Sequence, residues 1–192
     1  DVVPEPDWLE KLVQEMELSK AGGVGGKLIE THTGSMADAW RNTHMRQSWG
    51  EEKVLNPPFL FGSNTLFQKQ LLMNAGLYHP QCKTNAEDVK LCEKIRKKVK
   101  LVYTPEARCW HLRRDTICSV LKTYWQWHFY GQYSKIIKRK IFFSNITNLK
   151  VFKKLIFNDI KKYYIQNIMI DHLYLIFSIY YDWKYTILIN KN

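Results

Sequence analysis

Apolar side chains recur at helical spacing near the start of the chain, where Trp8, Leu9, Leu12, Val13 and Met16 predict an amphipathic helix over residues 8–19 with Asp7 as its cap. The run Gly22-Gly23-Val24-Gly25-Gly26 interrupts that pattern, and Lys27-Leu28-Ile29-Glu30 reads as a short strand. A polar stretch from Thr31 to Asp38 leads into a predicted helix over about 37–47. Asn56-Pro57-Pro58 is a firm stop, because each proline fixes its own φ and restricts the residue before it. Phe59-Leu60-Phe61 is a buried-strand candidate and Gly62-Ser63-Asn64 a tight turn, and residues 65–75 predict a helix ended by Gly76. Residues 86–98 form the next predicted helix, with Val89, Leu91, Cys92 and Ile95 on its apolar side. Two strands follow, 100–103 and 107–111, separated by Thr104-Pro105-Glu106.

This alternation is that of an α/β domain. Its character changes at Asp115, which with Thr116 offers a cap for a long aromatic helix reaching about residue 130. Beyond Gly131 the chain is dominated by Ile, Phe, Tyr, Lys and Asn and reads as a helical tail over 132–192. Its longest apolar run, 173–181, is far short of the ~20 residues that span a bilayer, so no transmembrane helix is expected.

Charge sharpens that boundary. The net charge is +11, yet residues 1–112 carry 15 Lys/Arg against 14 Asp/Glu, whereas residues 113–192 carry 14 against 4. Nearly all of the excess belongs to the last eighty residues. The cysteines at 82, 92, 109 and 118 form no Cys-x-x-Cys knuckle, so all four are expected to be reduced, which favours a cytoplasmic setting. The chain opens on Asp1-Val-Val-Pro, in which no signal peptide is visible, and it reads as part of a longer protein.

Several residues could carry chemistry. Glu87 and Asp88 begin a helix, where its positive end favours acids; a carboxylate oriented there also suits general-base work on a hydroxyl. His111 ends a strand, either as a hydrogen-bonded structural residue or as one ligand of an oxygen-rich metal site. Arg113 and Arg114 beside it could neutralise a diphosphate. Asp1 is either an ordinary terminal acid or a second metal ligand. Gly62, Ser63 and Asn64 make a plain turn or a backbone that comes close to a substrate.

The order of these pieces resembles family-2 glycosyltransferases. The segment Asp1-Val-Val-Pro-Glu-Pro-Asp-Trp-Leu-Glu looks like the one that follows that family's Asp-x-Asp motif. Residues 22–30 are similar to the next strand, and 61–69 with 74–78 resemble the acceptor-side segment. Asn85-Ala-Glu-Asp-Val-Lys-Leu-Cys92 matches the Glu-Asp signature, and 101–107 followed by 110–116 resembles the strand pair ending in a metal-side histidine. The resemblance covers about residues 1–131.

It implies an α/β fold: a partial GT-A (nucleotide-diphospho-sugar transferase) domain over 1–131, followed by an α-helical C-terminal extension. It further implies inverting sugar transfer from a nucleoside-diphosphate donor to a hydroxyl of a glycan or lipid-linked acceptor, in surface polysaccharide or glycoconjugate synthesis. In that reading Asp88 is the base and Glu87 its support, Asp1 and His111 serve a divalent metal (Mg²⁺ or Mn²⁺), and Gly62, Ser63, Asn64, Arg113 and Arg114 contact substrate. The processive Gln-x-x-Arg-Trp motif is missing, which implies transfer of single sugars.

In the tail, Lys135, Lys138, Arg139, Lys140, Lys150, Lys153 and Lys154 are interleaved with Ile and Phe. Such helices either pack on a domain with a solvated lysine face or lie on an anionic membrane, here its cytoplasmic side. The competing reading of the whole chain is a basic membrane-associated or nucleic-acid-binding interaction domain without catalysis, which leaves Glu87, Asp88 and His111 without a role. Under the transferase reading no nucleic-acid partner is expected.

Overall fold

The computed structural model describes residues 2–78, 86–131 and 141–189. The protein is mixed α/β, with a curled open sheet and a helical C-terminal region. It divides into two units: residues up to 32 with 46–113, and residues 33–45 with those from 114 on.

The first unit is built on an open five-stranded sheet. Its elements are β1 (Val2–Pro4), α1 (Trp8–Ser19), β2 (Gly23–Glu30), β3 (Val54–Leu55), β4 (Thr65–Phe67), α3 (Lys69–Asn74), α4 (Glu87–Ile95) and β5 (Leu101–His111). The strand order is β1-β5-β2-β4, with β3 also paired to β5. β2 and β5 run parallel and the other pairings are antiparallel. One apolar cluster gathers Leu12, Ala21, Val24, Val102 and Ala107, and another gathers Leu60, Leu91, Cys92, Ile95, Leu101 and Tyr103. Each fully buried Leu or Ile there contributes roughly 1.5–3 kcal/mol.

Five local expectations change. The glycine run does not break the chain; it is the first half of β2, since neighbouring strands come too close for side chains. A Cβ on Gly26 would lie 2.0 Å from the Ala107 carbonyl oxygen, and one on Gly23 2.5 Å from the Phe67 ring. Residues 65–67 are strand rather than helix because they pair with Gly23–Gly25, and the helix starts only at Lys69. The two expected strands around Pro105 are one, β5. Pairing passes from Gly25–Tyr103 to Lys27–Arg108, so Pro105 falls in a bulge where its missing N–H removes no ladder bond. Phe59–Phe61 forms no strand: Phe59 packs edge-on and Phe61 at a tilt against the Trp49 ring, and the buried Leu60 N–H donates to Cys92 Sγ at 3.3 Å. Asp7 does sit before α1, but its carboxylate caps nothing and pairs with Lys11 at 2.9 Å.

The second unit is helical: α2 (Met36–His44), α5 (Ile117–Gly131), α6 (Ile141–Lys161) and α7 (Ile165–Ile189). Ser35 caps α2 by accepting from the Asp38 N–H at 3.1 Å. Thr116 and Ser119 cap α5 reciprocally, each hydroxyl accepting from the other's N–H. Trp40, Met45, Val120, Leu121, Trp125 and Tyr174 are central to its core. Among the described residues, no helix is long and apolar enough to cross a membrane.

Candidate functional site

α4 begins at Glu87 after Ala86, whose φ of 68° turns the chain into the helix. Both oxygens of Asp88 are held by backbone. The Val89 N–H donates to Oδ1 at 2.7 Å, and the Gly62 N–H donates to Oδ2 at 3.0 Å. A side chain on Gly62 would press on Asp88, with its Cβ 3.3 Å from the Asp88 Cβ. The turn at 62–64 is thus fitted against the start of α4, and each Asp88 oxygen keeps a lone pair for a further donor. Glu87 Oε2 is buried without a partner, and burial holds the Glu87 carboxyl above its usual range, with the Asp88 charge adding to this. Tyr78 belongs to the same neighbourhood. Its phenol is pushed up by burial and then by the charge of Asp88. Tyr78 ends the segment 74–78 that resembles the acceptor-side segment, but the sequence assigns Tyr78 itself no role.

The other two residues of the turn differ from Gly62. The Ser63 hydroxyl donates to Gln47 Oε1 at 2.6 Å. Asn64 is 1% exposed and its amide is spent on the fold: Nδ2 donates to the Lys27 and Ala107 carbonyls, and Oδ1 accepts from the Trp8 indole N–H at 2.7 Å.

His111 closes β5, buried, with Nδ1 2.8 Å from Glu30 Oε2 at the end of β2. Imidazoles that ligate metals are commonly oriented by a carboxylate on the other ring nitrogen, and Glu30 supplies such a group to Nδ1. Val2 pairs with His111, whereas Asp1 lies outside the described residues. Arg113 is half-buried and Arg114 exposed. The sheet register runs five residues from Gly25, opposite Thr65, to Glu30, opposite His111, roughly 16 Å. Asp88–Gly62 and His111–Glu30 are therefore two separate places on one unit.

Two other features bear on chemistry. A hollow of about 250 Å³ lined by Leu71, Asn74, Ala75, Lys94, Ile95 and Lys98 lies at the opposite end of α4 from Asp88. Among the described cysteines, Cys92, Cys109 and Cys118 are free thiols, and burial pushes Cys92 and Cys109 up to about 11, which leaves them poor nucleophiles.

The second unit contains a buried polar cluster with no counterpart in the sequence reading. The Trp40 indole N–H donates to Asp171 Oδ1 at 2.8 Å, and His44 Nε2 lies 2.8 Å from Asp159 Oδ2. His44, Asp159 and Asp171 each offer a ligand atom within 4.8 Å of the others, so this trio could also hold a metal ion. Burial pushes Asp171 up to about 7 and holds His44 below its usual value. Arg41 and Asp115 form a buried pair at 2.9 Å, and Asp182 accepts from Trp125 Nε1 and Asn148 Nδ2, both at 2.7 Å. The residues come from segments up to 131 positions apart, which is why no local motif reveals them.

No family model matches the chain, and no curated protein matches it.

Proposed function

We propose that this chain is the acceptor-side part of a glycosyltransferase of GT-A architecture that moves a sugar, with inversion, from a nucleoside-diphosphate donor to an acceptor hydroxyl. The observation that carries the reading is the Asp88 carboxylate gripped between the first turn of α4 and the Gly62 N–H. Gly62 and Asp88, 26 residues apart in sequence, are hydrogen-bonded neighbours. A carboxylate fixed through both oxygens, with lone pairs to spare, suits removal of a proton from a hydroxyl at a set angle. In this reading Asp88 takes the acceptor proton, and Glu87, its carboxyl held above the usual range by burial, supports it. Gly62 allows the close approach that a larger residue would block. Ser63 is free to exchange Gln47 for an acceptor hydroxyl, while Asn64 holds the turn in place from inside.

His111, oriented by Glu30, has the environment expected of a divalent-metal ligand, with Asp1 as the proposed second ligand. A bound Mg²⁺ or Mn²⁺ would supply charge neutralisation at the leaving diphosphate. Arg113 and Arg114 are proposed to assist there, and the distance between the two ends of the sheet leaves room for a donor lying across it. The acceptor is a glycan or a lipid-linked glycan, at the cytoplasmic face of a membrane.

The test is transfer and hydrolysis of a panel of nucleoside-diphosphate sugars, with Mg²⁺ or Mn²⁺, by a polypeptide extended upstream of Asp1. Asp88→Asn should lower turnover by roughly 100-fold or more with the donor KM nearly unchanged. Because the asparagine amide nitrogen cannot accept one of the two backbone N–H groups, a melting point lower by a few degrees is expected as well, and turnover is compared well below it. Turnover equal to wild type would remove Asp88 as the base.

A further inference from the structure

The second unit hides all of its acids. Asp38, Asp115, Asp159, Asp171 and Asp182 are every Asp and Glu in residues 33–45 and 114–192, and none is more than 7% exposed. Each is engaged internally: Asp38 Oδ1 accepts the Asp115 N–H, Asp115 pairs with Arg41, Asp159 with His44, Asp171 with Trp40, and Asp182 with Trp125 and Asn148. By contrast, the seven described lysines of the unit, from Lys122 to Lys184, are all exposed. The surface is therefore cationic with no side-chain carboxylate to offset it, an arrangement that repels itself and attracts anions.

The same surface is also apolar where water should favour polar residues. At the tip joining α6 to α7, Phe157, Ile160, Tyr163 and Ile165 are 67%, 57%, 86% and 73% exposed, with the exposed Lys161 and Lys162 among them. From Ile165 an exposed ridge follows one face of α7 through Met169, Leu173, Ile176, Tyr180 and Trp183, at steps of three or four residues. Its length is about 27 Å at 1.5 Å per residue. Lys184 Nζ lies beside the ridge, 6.0 Å from the Tyr180 ring centroid and 5.7 Å from that of Tyr181. A continuous apolar stripe of this kind needs a partner.

Charge chooses the partner. A second copy packed through this same face would bring lysines against lysines with no exposed acid of that unit to receive them, which is unfavourable. A nucleic acid would satisfy the lysines but leave Ile160, Ile165 and Ile176 in water, since bases stack on aromatic rings rather than on aliphatic side chains. An anionic bilayer answers both features: phosphates meet the lysines, and the acyl boundary receives the aliphatic and aromatic ridge.

We propose that the α6–α7 tip and the exposed face of α7 are a docking surface for an anionic lipid bilayer, with Ile165, Met169, Ile176 and Trp183 entering the interface and Lys161, Lys162 and Lys184 lying on lipid phosphates. This does not depend on the transferase reading; a non-catalytic protein with this unit would bind in the same way.

Flotation of the full chain with phosphatidylcholine vesicles, with and without phosphatidylglycerol, tests it at low and high salt. Binding is expected only with phosphatidylglycerol, and to weaken at high salt. Lys161→Gln with Lys162→Gln should weaken it roughly 30-fold, at about fivefold per cation. Tyr163→Ser with Ile165→Ser, both at exposed positions, should keep the helical circular dichroism and abolish the salt-resistant part of the binding. Absence of binding to either vesicle overturns the proposal, as does equal binding to both. So does a solution dimer that these exposed-site variants dissociate, or binding to duplex DNA that displaces the vesicles and is lost in the same variants.

Discussion

Replacing Asp171 with Asn should stabilise the protein at neutral and alkaline pH and do nothing comparable in acid. Asp171 is fully buried, its Oδ1 accepts the Trp40 indole N–H, and its Oδ2 has no partner. Burial is the largest cause of its raised pKa, and the neighbouring Asp159 adds to it, while Trp40 and the charge of His172 oppose it. His44 faces the same pair through Asp159, and the Tyr124 phenol is pushed up by both carboxylates after burial. The carboxyl thus rises from an ordinary 3.8 to about 7. A folded-state pKa above the unfolded value means that the native state binds the proton more tightly. The stability this gives is fully present below the unfolded pKa and is lost as pH rises through about 4 to 7, at about 1.4 kcal/mol per pH unit and about 4 kcal/mol in all. Asparagine keeps the acceptor for Trp40, can donate to Asp159, and carries no charge to bury.

The assay is urea unfolding followed by tryptophan fluorescence between pH 4.5 and 8, with EDTA present because an ion at the His44, Asp159 and Asp171 trio would favour the charged form. The free-energy difference between variant and wild type should grow in favour of the variant as pH rises. His44 acts in the opposite sense, since its buried neutral ring loses stability as pH falls below the usual 6.5; it is present in both proteins, so the difference reports Asp171 together with any change in its coupling to the His44–Asp159 pair. A difference that stays constant with pH, or that grows in favour of wild type, refutes the reasoning.

Further outcomes follow from the sheet. Asn64→Ala removes two buried hydrogen bonds to Lys27 and Ala107 and the acceptor for Trp8, and should cost about 3 kcal/mol or more, read as a lower urea midpoint; a cost below about 1 kcal/mol would mean that the amide is not a structural tie. Gly26→Ala places a Cβ 2.0 Å from a backbone carbonyl and should lower the thermal midpoint by several degrees, while an unchanged midpoint would deny the close approach of β2 and β5. Both are expected to act through stability, whereas for Asp88→Asn the larger loss should be in the proposed turnover.

What the chain determines locally is the helical framework. The apolar spacing at 8–19, the start of α4 at Glu87-Asp88 and the cap at Thr116 follow from periodicity and capping, which act within a few residues. The two-part charge distribution is likewise a property of the sequence. The sequence offers the candidate residues one by one, but neither the Gly62–Asp88 bond, nor the influence of Asp88 on Tyr78, nor the Glu30–His111 pair can be read from it, because each depends on segments that meet only in the fold. Nonlocal pairing also made strands of a glycine run and of residues 65–67, and carried β5 through Pro105. A strand's partner lies elsewhere in the chain, so its sequence alone under-specifies it. The same holds for charge: composition gives the second unit four acids in its last eighty residues, but only packing decides that all of them, together with Asp38, turn inward to tryptophan, histidine, arginine and backbone donors, leaving lysine to face the outside.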